Sequence, residues 1–123
     1  MANPFRESEM YENSYNCLRR RYPASEGWEL TPQHHHGTYV PDFTCFKETK
    51  NYTYKVICEV KAKPTLHAKD IAQINKYVKN VAGKNVKIKN RILIVPSGCN
   101  IENVRDLIEY HEIEVIFLRA FRV

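Results

Sequence analysis

Three charged side chains near the middle of the sequence have the types that metal-assisted hydrolysis requires. Asp42 follows Pro41, and Glu59 and Lys61 lie close together at the end of an apolar segment. Carboxylate oxygens suit hard cations such as Mg²⁺ or Mn²⁺, and an ion between two carboxylates offsets the free-energy cost of burying them. A neighbouring ammonium can orient water or stabilise charge that develops on a phosphoryl group. These residues therefore predict a site that hydrolyses phosphodiester bonds.

Two predicted strands carry these side chains. Residues 39–47 and 52–61 are rich in β-branched and aromatic residues, and the polar residues 48–51 between them predict a hairpin turn. Residues 56–58 are apolar in succession, which is typical of a central strand that is covered on both faces. We therefore expect an antiparallel pair in which the second strand is central.

The turn sets which side chains of the two strands meet. With the turn centred after Thr49, Asp42 faces Ile57 and lies diagonal to Glu59, so that about 7 to 8 Å separates their Cα atoms. Because side chains alternate between the faces of a strand, Asp42, Glu59 and Lys61 share one face. A shift of one residue would separate them.

The other elements follow from apolar periodicity and from turn residues. The predicted helices cover residues 7–22, 67–81 and 101–110, and the further strands cover residues 28–31, 91–95 and 114–121. The buried stripe of the first helix is predicted to contain Tyr11, Tyr15, Leu18 and Tyr22. This order predicts a single α/β domain over residues 1–123, with a mixed central sheet flanked by helices.

The charge of the chain favours a nucleic-acid partner. Lys and Arg number 19 against 14 Asp and Glu, which gives a net charge of +5. Such an excess favours phosphate contacts, and the basic residues of segment 76–91 would extend the positive surface. Because 123 residues leave little room for a separate recognition domain, we expect a homodimer or a partner protein to direct the site to its target.

Apolar runs and cysteines exclude other classes. The sequence has no apolar run of the length that spans a membrane and no apolar leader segment near its start, so a cytoplasmic location is expected. Its 4 cysteines are far apart in the sequence, which gives no support to a zinc site or a disulfide framework.

The motifs together resemble the PD-(D/E)XK nuclease superfamily. Pro41 and Asp42 match its PD, Glu59 and Lys61 match its ExK, and the following helix has the Gln-x-x-x-Tyr pattern of several branches. The resemblance implies a restriction-endonuclease-like αβββαβ core and Mg²⁺-dependent or Mn²⁺-dependent cleavage of DNA. Residues 39–43 also resemble the endonuclease subunit of heteromeric transposases, whereas the small size and basic charge resemble archaeal Holliday junction resolvases.

The resemblance also implies an acidic residue from the first helix, for which three glutamates compete. The spacing of the superfamily favours Glu12 as a metal ligand beside Asp42 and Glu59, although the helical phase favours Glu7. We predict Glu12, while Glu7 and Glu9 remain alternatives.

Further residues are candidates for contact with the substrate. Gln73 would assist by binding a phosphate or a metal-bound water, and Tyr77, one turn later, would lie on the same side of its helix. Lys63, Tyr77 and Lys79 are predicted to contact nucleic acid, although Tyr77 would equally suit the core. His36 is predicted to touch phosphate from the loop that contains the histidines at 34–36.

Three functions remain open at this stage. The first is a metal-dependent DNA endonuclease in which Asp42, Glu59, Lys61 and Gln73 are catalytic, directed by DNA structure or by a partner. The second is a Holliday junction resolvase that acts as a homodimer. The third is a catalytically silent module that binds nucleic acid or protein, and RNA is an alternative substrate to DNA.

Overall fold

The computed structural model describes residues 5–32 and 41–123. Within these ranges, the α-helices are α1 (Tyr11–Arg21), α2 (Ala68–Val81) and α3 (Arg105–Tyr110), with short 3₁₀ helices at Glu7–Met10, Ala24–Glu26 and Glu102–Val104. The strands are β1 (Glu29–Pro32), β2 (Phe43–Glu48), β3 (Thr53–Val60), β4 (Val86–Ser97) and β5 (Ile113–Arg122). None of the described helices has both the length and the apolar content needed to cross a bilayer.

The strands form one mixed sheet in the order β1-β2-β3-β4-β5. The first three strands pair antiparallel, whereas β3, β4 and β5 run parallel. Parallel neighbours need a crossover, and α2 and α3 supply those connections. The predicted mixed sheet with flanking helices is confirmed, and β3 is its central strand.

The observed register differs from the predicted one by two residues. Ile57 pairs with Thr44, and Phe43 pairs with Cys58. The turn is centred one residue later than predicted, because the Thr49 N–H donates to the Tyr52 carbonyl at 2.8 Å. A shift of two residues is one full period of a strand, so the faces are unchanged.

Apolar side chains pack on both faces of the sheet. On one face, Met10 and Leu18 pack with Phe43, Val56 and Cys58. On the other face the core contains residues of α2, β3 and β4, namely Ile71, Ile74, Tyr77, Ile57 and Leu93. This double coverage explains the uninterrupted apolar run in β3.

Helix α1 buries most of the predicted stripe. Leu18 is buried and Tyr11 and Tyr22 pack against the core, whereas Tyr15 is 39% exposed. Ser14 is buried in addition, and it tolerates burial because its hydroxyl donates to a backbone carbonyl one turn earlier at 2.8 Å. The tyrosine spacing therefore predicted the helix and its buried side correctly except at Tyr15.

Two strands also differ in length from their predictions. Strand β4 begins at Val86 instead of residue 91, because half-buried Val86 and Ile88 alternate with exposed Lys87 and Lys89. The lysines of this segment predict a basic surface, and the structure shows that the segment is also part of a strand. Strand β2 begins at Phe43, and residues 39–40 of the predicted strand lie outside the described residues.

Candidate active site

Three carboxylates from distant parts of the chain meet at one edge of the sheet. Glu7 begins the 3₁₀ helix before α1, Asp42 directly precedes β2, and Glu59 lies near the end of β3. One carboxylate oxygen of each lies within 4.8 Å of the others. We call these three residues the carboxylate trio.

Hydrogen bonds to the backbone fix two members of the trio against each other. The Asp42 N–H donates to Glu59 Oε1 at 2.8 Å, and the Val60 N–H donates to Asp42 Oδ2 at 2.8 Å. Tyr11 donates its hydroxyl to Asp42 Oδ1 at 3.4 Å. The predicted convergence of Asp42 and Glu59 is thus present, and direct opposition across the strands replaces the predicted diagonal.

Burial and the nearby Asp42 disfavour the ionised forms of the two glutamates of the trio. Glu59 is 3% exposed, and its burial, followed by the nearby charge of Asp42, raises its pKa to about 8. Burial and then Asp42 likewise raise the pKa of Glu7 to about 7. Burial also raises the pKa of the Tyr11 hydroxyl, with Asp42 as the next cause. The positive charge of Lys61 lowers the pKa of both glutamates but does not cancel these effects.

The donor set of the trio fits a hard divalent cation. All three residues offer oxygen, which Mg²⁺ and Mn²⁺ prefer, and a cation between them would remove the repulsion that raises the glutamate pKa values. The trio could therefore hold a metal ion.

Lys61 extends from the end of β3 toward Glu59 and helix α2. Its Nζ lies 3.6 Å from Glu59 Oε2 and donates to Gln73 Oε1. Gln73 Nε2 in turn donates to the Tyr77 hydroxyl at 2.8 Å. The Gln-x-x-x-Tyr pattern therefore forms a chain of hydrogen bonds that holds the ammonium beside the trio.

Tyr77 lies beneath the site instead of on its surface. The residue is 2% exposed and packs among core residues of α2 and β4. Burial, followed by the charge of Glu59, raises the pKa of Tyr77 to about 12. The prediction that Tyr77 contacts nucleic acid is wrong in this structure, because its ring lies in the core.

Asp70 is a site residue that the sequence interpretation missed. It is 3% exposed, and its carboxylate accepts from Lys63 Nζ at 2.8 and 3.0 Å and from the His67 N–H at 2.8 Å. Its Oδ1 also lies 3.9 Å from Lys61 Nζ. The available signal was its position one helical turn before Gln73, which places both residues on the same face of α2.

The first-helix glutamates take three different positions. Glu7 joins the trio, Glu9 accepts from the Arg6 N–H at 2.9 Å, and Glu12 is exposed. The prediction of Glu12 as the third ligand is therefore corrected to Glu7. Glu12 follows buried Met10 by two residues, about 200° around an α-helix, and so lies on the outer face of α1.

The other residues that were predicted to contact nucleic acid lie at different distances from the trio or outside the described residues. Lys63 lies beside the site and is paired with Asp70. Lys79 is exposed near the opposite end of α2, where it lines a separate hollow with Arg91. His36 and its neighbours at 34–35 lie outside the described residues.

Comparisons with known proteins identify the fold. No protein-family model and no curated protein matches the sequence. A repair endonuclease from Pyrococcus abyssi matches with a TM-score of 0.54 and 26% sequence identity, covering 96% of this chain and 50% of that chain. The restriction endonuclease FokI matches with a TM-score of 0.44 and 14% identity, covering 80% of this chain and 20% of that chain.

The likeness to the repair endonuclease agrees with the αβββαβ order of the described elements. The chain has a restriction-endonuclease-like nuclease fold, as the PD-(D/E)XK resemblance implied. It spans about half the length of the repair endonuclease chain.

Proposed function

We propose that this protein is a metal-dependent nuclease that hydrolyses phosphodiester bonds in DNA. The observation that carries the proposal is the carboxylate trio, whose oxygens lie within 4.8 Å of one another beside the Lys61 ammonium. The likeness to a repair endonuclease over 96% of this chain supports it, because that protein is a nuclease of the same fold. A fold alone hosts many functions, so the site carries more weight.

Each residue of the site has a separate role in this proposal. Glu7, Asp42 and Glu59 would hold the divalent cation, for which we propose Mg²⁺ or Mn²⁺. When bound, such a cation polarises a phosphoryl oxygen and lowers the pKa of a water molecule. Glu59 is the buried member of the trio, and low access of water at its carboxylate strengthens electrostatic interactions there.

Lys61 would supply the remaining positive charge. Its Nζ would donate to an oxygen of the scissile phosphate and stabilise negative charge that develops there. Gln73 accepts a hydrogen bond from this ammonium and is itself held by Tyr77, so Lys61 is positioned before substrate binds. Asp70 Oδ1 lies 3.9 Å from the same ammonium and would help to hold it.

Plasmid cleavage tests the proposal. The purified protein should nick or linearise supercoiled DNA in the presence of Mg²⁺ or Mn²⁺, measured by agarose gel electrophoresis. Asp42→Asn should lower the rate by about a hundredfold or more, because it removes a charged ligand from the trio. Glu12→Gln, a matched change at an exposed residue of the adjacent helix, should leave the rate unchanged.

A panel of substrates separates the alternatives. The panel contains linear duplex DNA, single-stranded DNA, a four-way junction and RNA, each with Mg²⁺ or Mn²⁺. A difference in cleavage rate among them would show that the structure of the nucleic acid directs cleavage. If the folded native protein cleaves none of them, the nuclease proposal fails and the silent binding module is favoured.

Preference for the four-way junction, together with a dimer in sedimentation experiments, would support the Holliday junction resolvase. Such a homodimer would place two sites on opposite strands. If the protein is a monomer, the alternative is that a partner protein directs it to its DNA target. The single-domain organisation over residues 1–123 and the cytoplasmic location stay predictions from the sequence.

A further inference from the structure

A cavity of about 650 Å³ opens directly beside the carboxylate trio. Glu7 and Lys61 line it, so the cavity and the trio share two residues. Its charged lining residues are Arg6, Glu7, Lys61, Lys63, Lys69 and Asp70. Its volume lies within the range of ordinary ligand sites and is large enough for a sugar and a phosphate.

The cations of this cavity divide into two kinds. Lys61 and Lys63 are held by Glu59 and Asp70 at distances between 2.8 and 3.9 Å. Arg6 and Lys69 are exposed, and no carboxylate of the described residues forms an ion pair with either. The cavity therefore has two positive side chains that the described chain leaves available to an anion.

We propose that Arg6 and Lys69 bind the phosphate that neighbours the scissile phosphate on the same DNA strand. This inference rests on the proposed function, because the trio defines where the scissile phosphate lies. One strand that passes from the trio into the cavity brings its next phosphate to these cations. Contacts to backbone phosphates position the strand without reading bases.

The contact should be visible in binding before any cleavage is measured. A short fluorescent single-stranded oligodeoxynucleotide is titrated with the native protein and with Lys69→Ala, Arg6→Ala and Lys50→Ala, with fluorescence anisotropy as the readout. Lys50 is the matched control, because it is exposed in the turn before β3, at the other end of that strand from Glu59, and does not line the cavity. Lys69→Ala and Arg6→Ala should each weaken binding about tenfold, and Lys50→Ala should change it little.

Salt dependence provides a second readout that general destabilisation would not reproduce. Loss of one phosphate contact should reduce the slope of log affinity against log salt by about one for Lys69→Ala. The slope for Lys50→Ala should equal that of the native protein. Equal losses of affinity for Lys69→Ala and Lys50→Ala would overturn the inference.

Neutral linkages locate the phosphate on the strand. A series of oligonucleotides, each with one methylphosphonate in place of one phosphate, should contain a single position that weakens binding to the native protein. The neutral linkage should cost Lys69→Ala less affinity than it costs the native protein, and the double variant Arg6→Ala/Lys69→Ala should bind this oligonucleotide and the unmodified one equally well. A native protein without a sensitive linkage would contradict the proposed contact.

The outcomes for cleavage and for binding are separable. If the protein shows this binding pattern but cleaves no substrate, the phosphate site is supported and the nuclease proposal is refuted. If the native protein cleaves DNA but Lys69→Ala and Arg6→Ala bind the oligonucleotide with unchanged affinity, the nuclease proposal is supported and the phosphate site is refuted.

Discussion

Glu59 and Asp70 are equally buried carboxylates with opposite electrostatics. Each is 3% exposed, and each lies near the same ammonium, with Lys61 Nζ at 3.6 Å from Glu59 and 3.9 Å from Asp70. Yet the pKa of Glu59 is raised to about 8, whereas that of Asp70 is lowered. Equal solvent exposure therefore does not give these two groups the same charge.

The difference lies in their partners. Burial alone would raise the pKa of Asp70, but hydrogen bonds from Lys63 and the His67 N–H, together with the charges of Lys63 and Lys61, outweigh it. Glu59 receives one backbone hydrogen bond and faces two other carboxylates, those of Asp42 and Glu7. The chain supplies Asp70 with donors that stabilise its ionised form, whereas the carboxylates around Glu59 disfavour its ionisation.

This contrast distinguishes an internal ion pair from a site for an external cation. A buried charge needs a partner, and the partner of Asp70 is part of the fold. The carboxylate trio has more acidic groups than nearby ammonium groups, so a cation from solution would complete it. Asp70 should accordingly matter for stability in the absence of metal, and Glu59 should matter once metal or substrate is present.

Removing the carboxylate of Asp70 and that of Glu59 in separate variants tests this difference most directly. Asp70→Asn should lower the free energy of unfolding by about 2 kcal/mol in metal-free buffer at neutral pH, because Lys63 loses its charged partner. Glu59→Gln should cause no loss there, since its pKa near 8 keeps it largely protonated. Urea denaturation measures both.

An exposed ion pair supplies the control for this experiment. Glu102 and Arg105 are paired at 2.5 Å on the surface, with both side chains more than half exposed. Glu102→Gln should leave the urea midpoint unchanged, because water screens such a pair. A loss of stability in Glu59→Gln as large as that in Asp70→Asn would refute the contrast.

Metal binding should stabilise the trio and leave the Asp70 pair unaffected. Mg²⁺ or Mn²⁺ should raise the melting temperature of the native protein, with a gain of roughly 2.7 kcal/mol at a concentration one hundred times the dissociation constant. Glu7→Gln should reduce this gain, whereas Glu12→Gln should retain it, because only Glu7 belongs to the trio.

Asp70→Asn provides a second control in the metal titration. Although its melting temperature starts lower, its increase with metal should match that of the native protein. An identical response of Glu7→Gln and Glu12→Gln would remove Glu7 from the proposed ligand set.

The sequence predicted the trio in part because strand geometry tolerates certain errors. The register was displaced by two residues, yet Asp42 and Glu59 still shared a face, since the alternation of side chains has a period of two. A helix has no such tolerance. Glu7 and Glu12 are five residues apart, about 140° on α-helical spacing, so only one of them can face the trio. The helical phase favoured Glu7, and the spacing that the resemblance implied favoured exposed Glu12.

The spacing of Asp70 from Gln73 placed it on the same face of α2, but its role is tertiary and that spacing did not reveal it. An aspartate in the first turn of a helix usually caps it, and Asp70 does accept from the His67 N–H. Its contact with Lys63 depends on how α2 packs against the end of β3, which no spacing within the sequence specifies. Gln73 and Lys61 were recognisable because the resemblance paired their motifs.

The pH dependence of stability sharpens the contrast because the two groups act in opposite directions. The metal-free folded protein binds more protons than the unfolded chain while Glu59 titrates, so stability should fall as pH rises from about 4.5 to 8. Asp70 has a lowered pKa, so its contribution is present above the unfolded value of 3.8 and is lost as pH falls below it.

Urea denaturation across this pH range should therefore show a maximum in mildly acidic buffer. Glu59→Gln should flatten the decline toward pH 8, and saturating Mg²⁺ should do the same for the native protein, because the bound cation stabilises the ionised carboxylates. Stability that rises steadily through this window without metal would show that the trio is already neutralised by the chain.

Loss of the Tyr77 hydroxyl should have the smallest effect, because Tyr77 acts on the trio only through two intervening side chains. Tyr77→Phe removes the acceptor of Gln73 Nε2 and leaves the ring in the core. The lost hydrogen bond is worth about 1 kcal/mol, so cleavage should slow by less than about tenfold. Because Gln73 would still accept from Lys61, substrate affinity should not change, and the loss should appear in kcat. A change confined to KM would mean that Tyr77 supports the surface that binds DNA instead of the ammonium beside Glu59.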